Sequence, residues 1–379
     1  MRKSYKYSAV INKTTEHNAE RWLDLCRFLY NCALRERIDV YQDGRRRHGA
    51  ELVKSCGKKV SYFSQAMELK GLRTWMPEYD GINVQMLQTV LDRLDKAYAA
   101  FYRRLTTGSD KAGFPRFKGK GRYDSFTMKS NGWKLEGRDL WITNVGRFKL
   151  RRDRPVQGDI KTVTVRREST GKWFVCFSCD NVPETRLPAS ELEVGIDVGI
   201  KNFCVDSTGR VVDNPKYLRQ AERELRIRQR RLSRRVQGSG RRKKARLQVA
   251  RAHDDVKNQR SDFLHKLSTE YVRSYGAIFV EDLEIKNMVK NHHLAKSISD
   301  AGWGTFTQYL SYKAEEASRK VVKVNPRNTS QNCSGCGEKV EKSLAVRIHN
   351  CPYCSLVMDR DENAARNILQ VGQACQAVT

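Results

Sequence analysis

The sequence lacks the features that place a protein in or across a membrane. Its 379 residues contain no run of about 18 apolar residues, the length that a bilayer-spanning helix requires. The first ten residues, MRKSYKYSAV, have no apolar stretch of the kind found in signal peptides. No lipidation motif or basic amphipathic anchor is evident either. These absences predict a cytoplasmic protein without a membrane partner.

Acidic residues are scarce relative to basic ones. Lys and Arg number 72 against 43 Asp and Glu, a formal net charge of +29. Solubility does not require so large a surplus, and the usual reason for it is a polyanionic partner, which favours nucleic acid. The basic residues are interleaved with segments that have folding patterns, so a disordered basic tail does not account for the charge.

The charge is densest in residues 216–260, which hold 17 Lys or Arg and only 4 Asp or Glu. The pattern predicts a helical hairpin over 216–275, broken near 238–240. Solvated helices usually balance their signs through pairs four residues apart, and this segment does not. We therefore expect contacts with a nucleic-acid backbone here. The candidate residues are Arg230, Arg231, Arg234, Arg235, Arg241 and Arg242.

The sequence does not predict a disulfide framework, because the eleven cysteines are odd in number and no secretion signal accompanies them. Four cysteines form the pattern C-x2-C-x14-C-x2-C, namely Cys333, Cys336, Cys351 and Cys354. Two such knuckles supply four thiolates to one tetrahedral centre with no open position. The pattern predicts a structural zinc. The remaining cysteines are expected to be core or surface thiols, and His292, His293 and His349 are weaker ligand candidates.

The pattern of the first half predicts an N-terminal strand, long helices between residues 13 and 110, and short strands from 123 to 180. The strands read as a small antiparallel barrel or sandwich, which the N-terminal strand could complete. The basic loop 106–122 also carries Phe114 and Phe117 among lysines and arginines. Such a loop suits stacking and phosphate contact.

Three acidic residues stand where a carboxylate is costly unless it binds something. Asp197 lies in the apolar strand 194–199, Glu281 lies in the apolar strand 277–283, and Asp361 opens the last helix. Taken singly, each has an ordinary explanation: an edge-strand acid, a salt-bridge partner and a helix cap.

Together, these residues and their surroundings resemble the TnpB family of transposon-encoded, RNA-guided nucleases, which are similar to type V CRISPR effectors. The resemblance rests on the order of GIDVGIK (195–201), VEDL (280–283), TSQNCSGCG (329–337), CPYC (351–354) and DRDENAARNIL (359–369). The segment GFPRFKGK (113–120) adds to it. By position, Asp197, Glu281 and Asp361 match the catalytic acids of the family, which resemble an RNase H-like, RuvC-type site for two Mg²⁺ or Mn²⁺ ions. The four cysteines match its zinc ribbon.

The resemblance also implies an α+β multidomain fold. Residues 1–12 and 111–186 are expected to form a wedge-like β-barrel, with 13–110 as an inserted helical recognition domain. Residues 187–329 and 357–379 are expected to form the RuvC-like nuclease domain, with 330–356 as the zinc ribbon. Further nucleic-acid contacts are expected in the first half, at Tyr62, Gln85, Gln88, Arg116, Lys118 and Lys120.

The function that the resemblance implies is RNA-guided cleavage of double-stranded DNA beside a short target-adjacent motif. The partners would be a guide RNA from the transposon end and target DNA, with the protein a monomer on its RNA in the bacterial or archaeal cytoplasm, near the nucleoid. Two alternatives stay open. One is a transposase that acts on transposon ends with the same carboxylates, and the other is a nuclease-silent, RNA-guided DNA-binding regulator.

Overall fold

The computed structural model describes residues 1–52, 60–107, 113–343 and 346–377. Cys56 and part of the basic loop 106–122 lie outside these ranges. The chain divides into two units, Met1–Pro183 and Glu184–Thr379. Over the described ranges, none of the helices combines the length and apolarity needed to cross a bilayer.

The first unit is built from long helices and a set of short strands. The helices are α1 (Lys13–Leu52), α2 (Tyr62–Trp75) and α3 (Val84–Thr106), with a short 3-10 turn at Pro77–Tyr79. The strands are β1 (Lys3–Val10), β2 (Ser125–Met128), β3 (Trp133–Glu136), β4 (Asp139–Ile142), β5 (Gly146–Arg151), β6 (Asp159–Arg167) and β7 (Trp173–Asp180).

These strands form one antiparallel sheet in the order β2-β6-β7-β1-β5-β4-β3. The predicted inclusion of the N-terminal strand is confirmed, because β1 pairs with β7 on one side and β5 on the other. The sheet is a curled layer with β2 and β3 as its edges, so the ladder order does not close it into a barrel.

Helices and sheet of the first unit share one apolar core. Leu87, Leu91 and Leu94 of α3 are completely buried, and Phe126 and Phe148 of the sheet are buried with them. The spacing of Leu87, Leu91 and Leu94 by four and three residues places one face of α3 against the sheet.

The second unit contains a mixed sheet, a helical hairpin and a small cysteine-rich segment. Its strands are β8 (Glu193–Val198), β9 (Asn202–Asp206), β10 (Val211–Asp213), β11 (Ala277–Glu281), β12 (Lys320–Val324), β13 (Ile348–Asn350) and β14 (Val357–Asp359). Its helices are α4 (Tyr217–Ser233), α5 (Gly240–Ser274), α6 (Ile285–Met288), α7 (Ala295–Ala301), α8 (Trp303–Glu316) and α9 (Arg360–Ala377).

The main sheet of this unit has the order β10-β9-β8-β11-β12. Strands β8, β11 and β12 run parallel, whereas β9 and β10 are antiparallel additions. Apolar side chains cover both faces of the parallel strands. Val194, Ile196, Ile278 and Val280 face a core that α5 and α8 complete. Phe279 lies on the other face and packs with residues of α9.

The predicted helical hairpin is confirmed. It consists of α4 and α5, and Ser239 caps α5 by accepting a hydrogen bond from the Arg242 N–H. Between β11 and β12 the chain forms the successive helices α7 and α8. The chain turns between them at Gly302, whose φ of +74° belongs to the left-handed region that glycine adopts without strain.

Helix α9 approaches β8 so closely that only glycine fits at position 195. A Cβ atom on Gly195 would lie 2.2 Å from the Ala365 carbonyl oxygen and 2.6 Å from the Leu369 nitrogen. Both neighbours are backbone atoms of a helix, so they cannot rotate away. The glycine therefore sets how near α9 can come to the sheet.

Replacing Gly195 by alanine is expected to push α9 from the sheet and to lower the unfolding free energy of this unit by about 2 kcal/mol or more. The measurement is a urea titration followed by tryptophan fluorescence. The matched control is Gly240→Ala at the start of α5, where a Cβ would meet nothing within 4 Å. A Gly195→Ala variant as stable as the control would contradict the packing described above.

Candidate metal centre and nucleic-acid interface

Two of the three predicted acids lie at the same end of neighbouring parallel strands. Val280 of β11 is in register with Ile196 of β8, so the next residues, Glu281 and Asp197, stand side by side. Side chains alternate between the two faces of a strand. Asp197 therefore shares the face of Gly195, and Glu281 that of Phe279, which is the face that α9 covers.

The third acid reaches the same place through α9. Ala365 touches Gly195, and Asp361 lies one helical turn before Ala365, about 6 Å along the helix axis. Asp197 lies two residues beyond Gly195, about 6.6 Å along the strand. The Gly195 contact thus brings the first turn of α9 beside the carboxyl end of β8.

Asp359, and not Asp361, caps the N-terminus of α9. The Asp359 Oδ1 accepts hydrogen bonds from the backbone N–H of Asp361 at 2.7 Å and of Glu362 at 3.4 Å. The interpretation of Asp361 as a helix cap is therefore excluded. Its carboxylate is 15% exposed and is directed to other groups.

The charges of the other two acids add to the effect of burial on Asp197. Burial raises the pKa of Asp197 well above its usual range, and the negative charges of Glu281 and Asp361 raise it further, while Arg360 opposes the shift. Burial also raises the pKa of Glu281, although a hydrogen bond from Thr329 lowers it. Such a cluster prefers protons or cations to bare charge.

Two arginines lie next to the acid on α9. The Arg347 Nη1 lies 3.6 Å and the Arg360 Nε 3.7 Å from the Asp361 Oδ1. Their positive charges offset part of the negative charge of Asp361. The arginines were not anticipated from sequence, because nothing in their spacing distinguishes them from other basic residues.

The donor set fits hard divalent cations. Carboxylate oxygens from two strands and one helix converge, and Mg²⁺ or Mn²⁺ favours such ligands. Among the described residues, the four cysteines form a group with all ligand atoms within 4.8 Å of one another, and the three carboxylates do not.

One partner of this acidic cluster was missed from the sequence. The hydroxyl of Thr329 donates a 2.6 Å hydrogen bond to the Glu281 Oε1. Thr329 precedes the first cysteine knuckle by four residues and is 6% exposed. A single threonine in a segment without periodicity carries no signal of such a contact.

The four predicted cysteines do come together. The Cys333 and Cys354 sulfurs are 3.5 Å apart, and those of Cys336 and Cys351 are 3.6 Å apart. A disulfide requires about 2.05 Å, whereas thiolates 2.3 Å from a tetrahedral zinc lie about 3.8 Å from one another. The cluster therefore fits a structural zinc.

The candidate histidines lie outside this cluster. His349 is fully buried in β13, where its Nδ1 contacts the Lys342 ammonium. His292 and His293 are exposed after α6. Within the described part of the chain, the metal-ligand group with the tightest spacing consists of cysteines alone.

The arginines predicted to contact nucleic acid line the tip of the helical hairpin. Arg230, Arg231, Arg234, Arg235 and Arg241 are exposed. Arg242 differs, because its guanidinium donates to the carbonyls of Leu232 and Arg235 and so closes the end of α4. It has a structural role at the turn, which the sequence count did not separate from the others.

The predicted contacts of the first unit lie on three separate elements. Tyr62 is the first residue of α2 and packs partly against the core, while Gln85 and Gln88 are partly exposed near the start of α3. Arg116 and Lys120 are exposed in the basic loop, and Lys118 is partly buried.

Asn31 of α1 fixes the basic loop in place. Its side chain donates to the Lys118 carbonyl at 3.0 Å and accepts from the Lys118 N–H at 2.8 Å. Of the two phenylalanines expected to stack on bases, only Phe117 is exposed, at 49%. Phe114 instead packs edge-on against the rings of Tyr98 and Phe101, so the stacking expectation was wrong for Phe114.

Substituting Asp197 by asparagine is expected to raise the melting temperature of the protein at pH 7.5 without Mg²⁺ or Mn²⁺ and with zinc retained. The pKa of Asp197 is higher in the folded protein than in the unfolded one. The protein therefore loses stability as pH rises from the unfolded pKa through the folded pKa, and the ionised carboxylate destabilises the fold at neutral pH. At pH 4 the two proteins should differ less. Thermal unfolding at both pH values measures this, and an Asn variant less stable than wild type at pH 7.5 would contradict it.

Substituting Cys351 by serine is expected to lower the zinc content from one ion per chain towards zero and to loosen the segment around both knuckles. Elemental analysis and limited proteolysis measure these effects. Cys32→Ser is the control, since Cys32 is an exposed thiol of α1. Equal zinc content in the two variants would exclude the four-cysteine site.

Comparison with known proteins connects these features to a family. Three family models match the chain: OrfB_IS605, described as "Probable transposase", at residues 174–292, a Cas12f1-like TNB domain at 303–368, and an IS605 OrfB helix-turn-helix domain at 1–46. In this chain residues 1–46 form strand β1 and most of the single helix α1, so that last description does not match the fold observed there.

Two curated relatives align along nearly the whole chain, and a third aligns over about half of it. A protein of Streptomyces pristinaespiralis, named "Putative RNA-guided DNA endonuclease", is 34% identical over 100% of this chain and 91% of its own length. InsQ of Escherichia coli K12, which carries the same description, is 29% identical over 99% of this chain and 93% of its own. A Cas12f1 endodeoxyribonuclease of Sulfoacidibacillus thermotolerans is 28% identical over 54% of this chain and 51% of its own.

Solved structures show the same fold at low identity. A Cas12f1 chain from a complex with guide RNA and target DNA aligns with a TM-score of 0.57 at 16% identity, over 95% of this chain and 83% of that one. The endonuclease Cas_phi3 aligns with a TM-score of 0.51 at 9% identity, over 98% and 92%. With the full-length match to the Streptomyces protein, the chain belongs to the TnpB family, the OrfB proteins of IS605 elements.

Proposed function

We propose that this protein is an RNA-guided DNA endonuclease that cuts double-stranded DNA beside a short target-adjacent motif. The observation that carries the proposal is that Asp197 and Glu281 end neighbouring parallel strands, and that the negative charges of Glu281 and Asp361 add to burial in raising the pKa of Asp197. A protein with a surplus of 29 positive charges does not need such a pocket for its stability. We propose that the three acids bind divalent cations.

The proposed chemistry is hydrolysis of a phosphodiester in a RuvC-like site. Bound Mg²⁺ or Mn²⁺ would supply the Lewis acidity that activates a water and stabilises the leaving 3′-oxygen. The three carboxylates hold the cations, and parallel strands with a packed helix keep those carboxylates in place. Arg347 and Arg360 lie beside Asp361, where their charge reduces repulsion among the acids and attracts a phosphate.

The proposed partners are a guide RNA from the transposon end and the target DNA. Relatives along the full length are named RNA-guided DNA endonucleases, and the exposed arginines at the hairpin tip are suited to phosphates. In this scheme base pairing carries the sequence information, while the protein reads backbone shape and the adjacent DNA motif. We further propose that one protein chain works on each RNA.

The proposed division of labour follows the family resemblance. The curled sheet of the first unit would act as the wedge, and its helices, with Tyr62, Gln85 and Gln88, would recognise the target-adjacent motif. The second unit would be the nuclease, with the cysteine segment as its zinc ribbon. The continuous apolar core of the first unit means that the sheet and its helices would form one rigid body.

The two alternatives share part of this machinery. A transposase would use the same acids to join DNA ends, and it would act without a guide. A nuclease-silent regulator would bind RNA and DNA but would not cut. All three acids are present, and burial raises the pKa of Asp197 and of Glu281, which favours an active site over a silent one.

Substituting Asp361 by asparagine is expected to reduce the cleavage rate about 1000-fold or more while leaving the affinity of the RNA complex for target DNA close to that of wild type. Loss of one cation ligand removes several kcal/mol of transition-state stabilisation. The measurement is cleavage of a plasmid by the protein with its copurified RNA and Mg²⁺. The control is Asp282→Asn, an exposed acid beside Glu281 that pairs with Lys323.

The outcomes separate the three functions. Cleavage that requires RNA, is lost in Asp361→Asn and is retained in Asp282→Asn supports the endonuclease. Joining of transposon ends without RNA would indicate the transposase instead. Target binding without cleavage, equal in wild type and Asp361→Asn, would indicate the regulator.

A further inference from the structure

A buried hydrogen bond links the segment before the first cysteine knuckle to the acidic cluster. The Thr329 hydroxyl lies 2.6 Å from the Glu281 Oε1 and 3.1 Å from the Pro326 carbonyl oxygen. The hydroxyl has one proton to donate, and the carboxylate is both the nearer and the stronger acceptor. Because Oε1 is engaged, Oε2 is the oxygen that Glu281 keeps for a cation.

Two asparagines of α9 hold Thr329 itself in place. The Asn367 Nδ2 donates to the carbonyls of Thr329 and Asn332, both at 2.8 Å. One turn earlier, Asn363 donates to the Asn332 carbonyl at 2.8 Å and accepts from the Ser334 N–H at 2.9 Å. Both asparagines are buried, and a buried amide with satisfied hydrogen bonds has little freedom to move.

The same helix therefore supports both sides of the acidic cluster. Its first turn carries Asp361, and Asn363 and Asn367 hold the backbone between Thr329 and Ser334. A glutamate side chain has three rotatable bonds, and a hydrogen bond to one carboxylate oxygen removes most of the freedom of the last two. The bond can thus set the direction in which Glu281 presents its other oxygen.

We propose that Thr329 is a positioning residue of the divalent-cation site, which orients the Glu281 carboxylate from the backbone shared by α9 and the first cysteine knuckle. This inference rests on the proposed function, because it takes Glu281 as a cation ligand. Partners of this kind, which touch a ligand and not the metal, typically contribute 10- to 100-fold to metal affinity.

The test compares Thr329→Val, Thr329→Ala and Thr329→Ser in the full-length protein–RNA complex. Mn²⁺ binding is followed by electron paramagnetic resonance, and binding to the RNA alone and to the Glu281→Gln complex is subtracted as background. Valine and alanine remove the hydroxyl and are expected to weaken Mn²⁺ affinity about tenfold or more. Serine keeps the hydroxyl and is expected to bind Mn²⁺ close to the wild-type level.

The matched control is Thr170→Val. Thr170 is as buried as Thr329, at 6% exposure, but it lies in the β6–β7 turn of the first unit, where its hydroxyl oxygen accepts from the Lys172 N–H. Its Mn²⁺ affinity should equal that of wild type. Zinc content is measured in every variant and should stay at one ion per chain.

Three outcomes would overturn the assignment of Thr329. Wild-type Mn²⁺ affinity in the valine and alanine variants would show that the hydroxyl does not matter. An equally large loss of Mn²⁺ affinity in the serine variant would show that the affinity depends on the shape of the side chain and not on its hydroxyl. Joint loss of zinc and Mn²⁺ in both variants would show that Thr329 supports the knuckle instead. Failure of the proposed function is recognised separately, because Glu281→Gln would then bind Mn²⁺ as tightly as wild type.

Discussion

The close approach of α9 to β8 is the contact on which the acidic centre depends. It exists because Gly195 has no side chain, so that a helix backbone can lie directly on the strand. The contact places the first turn of α9 beside the ends of β8 and β11, and with it Asp361 beside Asp197 and Glu281. Burial, together with the negative charges of Glu281 and Asp361, then raises the pKa of Asp197, and a bound cation would offset that negative charge.

The cysteine segment is connected to the same contact through hydrogen bonds. Asn363 and Asn367 lie on α9 one turn apart and bind the backbone from Thr329 to Ser334, which leads into the first knuckle. A structural zinc would therefore stabilise more than its own loop. Order at the four cysteines reaches the acidic cluster through the backbone from Thr329 to Ser334 and through the hydroxyl of Thr329.

Basic charge is distributed differently from the acids. The arginines of the helical hairpin are exposed at its tip, and a small apolar contact of Leu225 with Ala252 and Val256 holds its two helices together. Arg242 belongs to the same charge run but serves the turn between the helices. Charge density in a sequence thus identifies a surface for phosphates without showing which arginines are free to reach them.

Much of the architecture could be predicted, because local patterns reflect local physics. Apolar strands that end in an acid, the unbalanced charge of 216–260 and the cysteine spacing each depend on residues near one another in sequence. They led to the strands that carry Asp197 and Glu281, the helical hairpin and the four-cysteine cluster, all of which the structure contains. The break at Gly302 and the inward packing of Phe114 were missed, since both depend on distant partners.

The sequence by itself determined which residues could bind metal or phosphate and in which elements they lie. Only the tertiary structure decided that Asp359 and not Asp361 caps α9, that Thr329 bonds Glu281, and that the sheet of the first unit is a curled layer with free edges. The physical reason is that each of these depends on distances between segments far apart in the chain or on competition between neighbouring side chains for one backbone group. Composition and periodicity contain no information about such distances or about that competition.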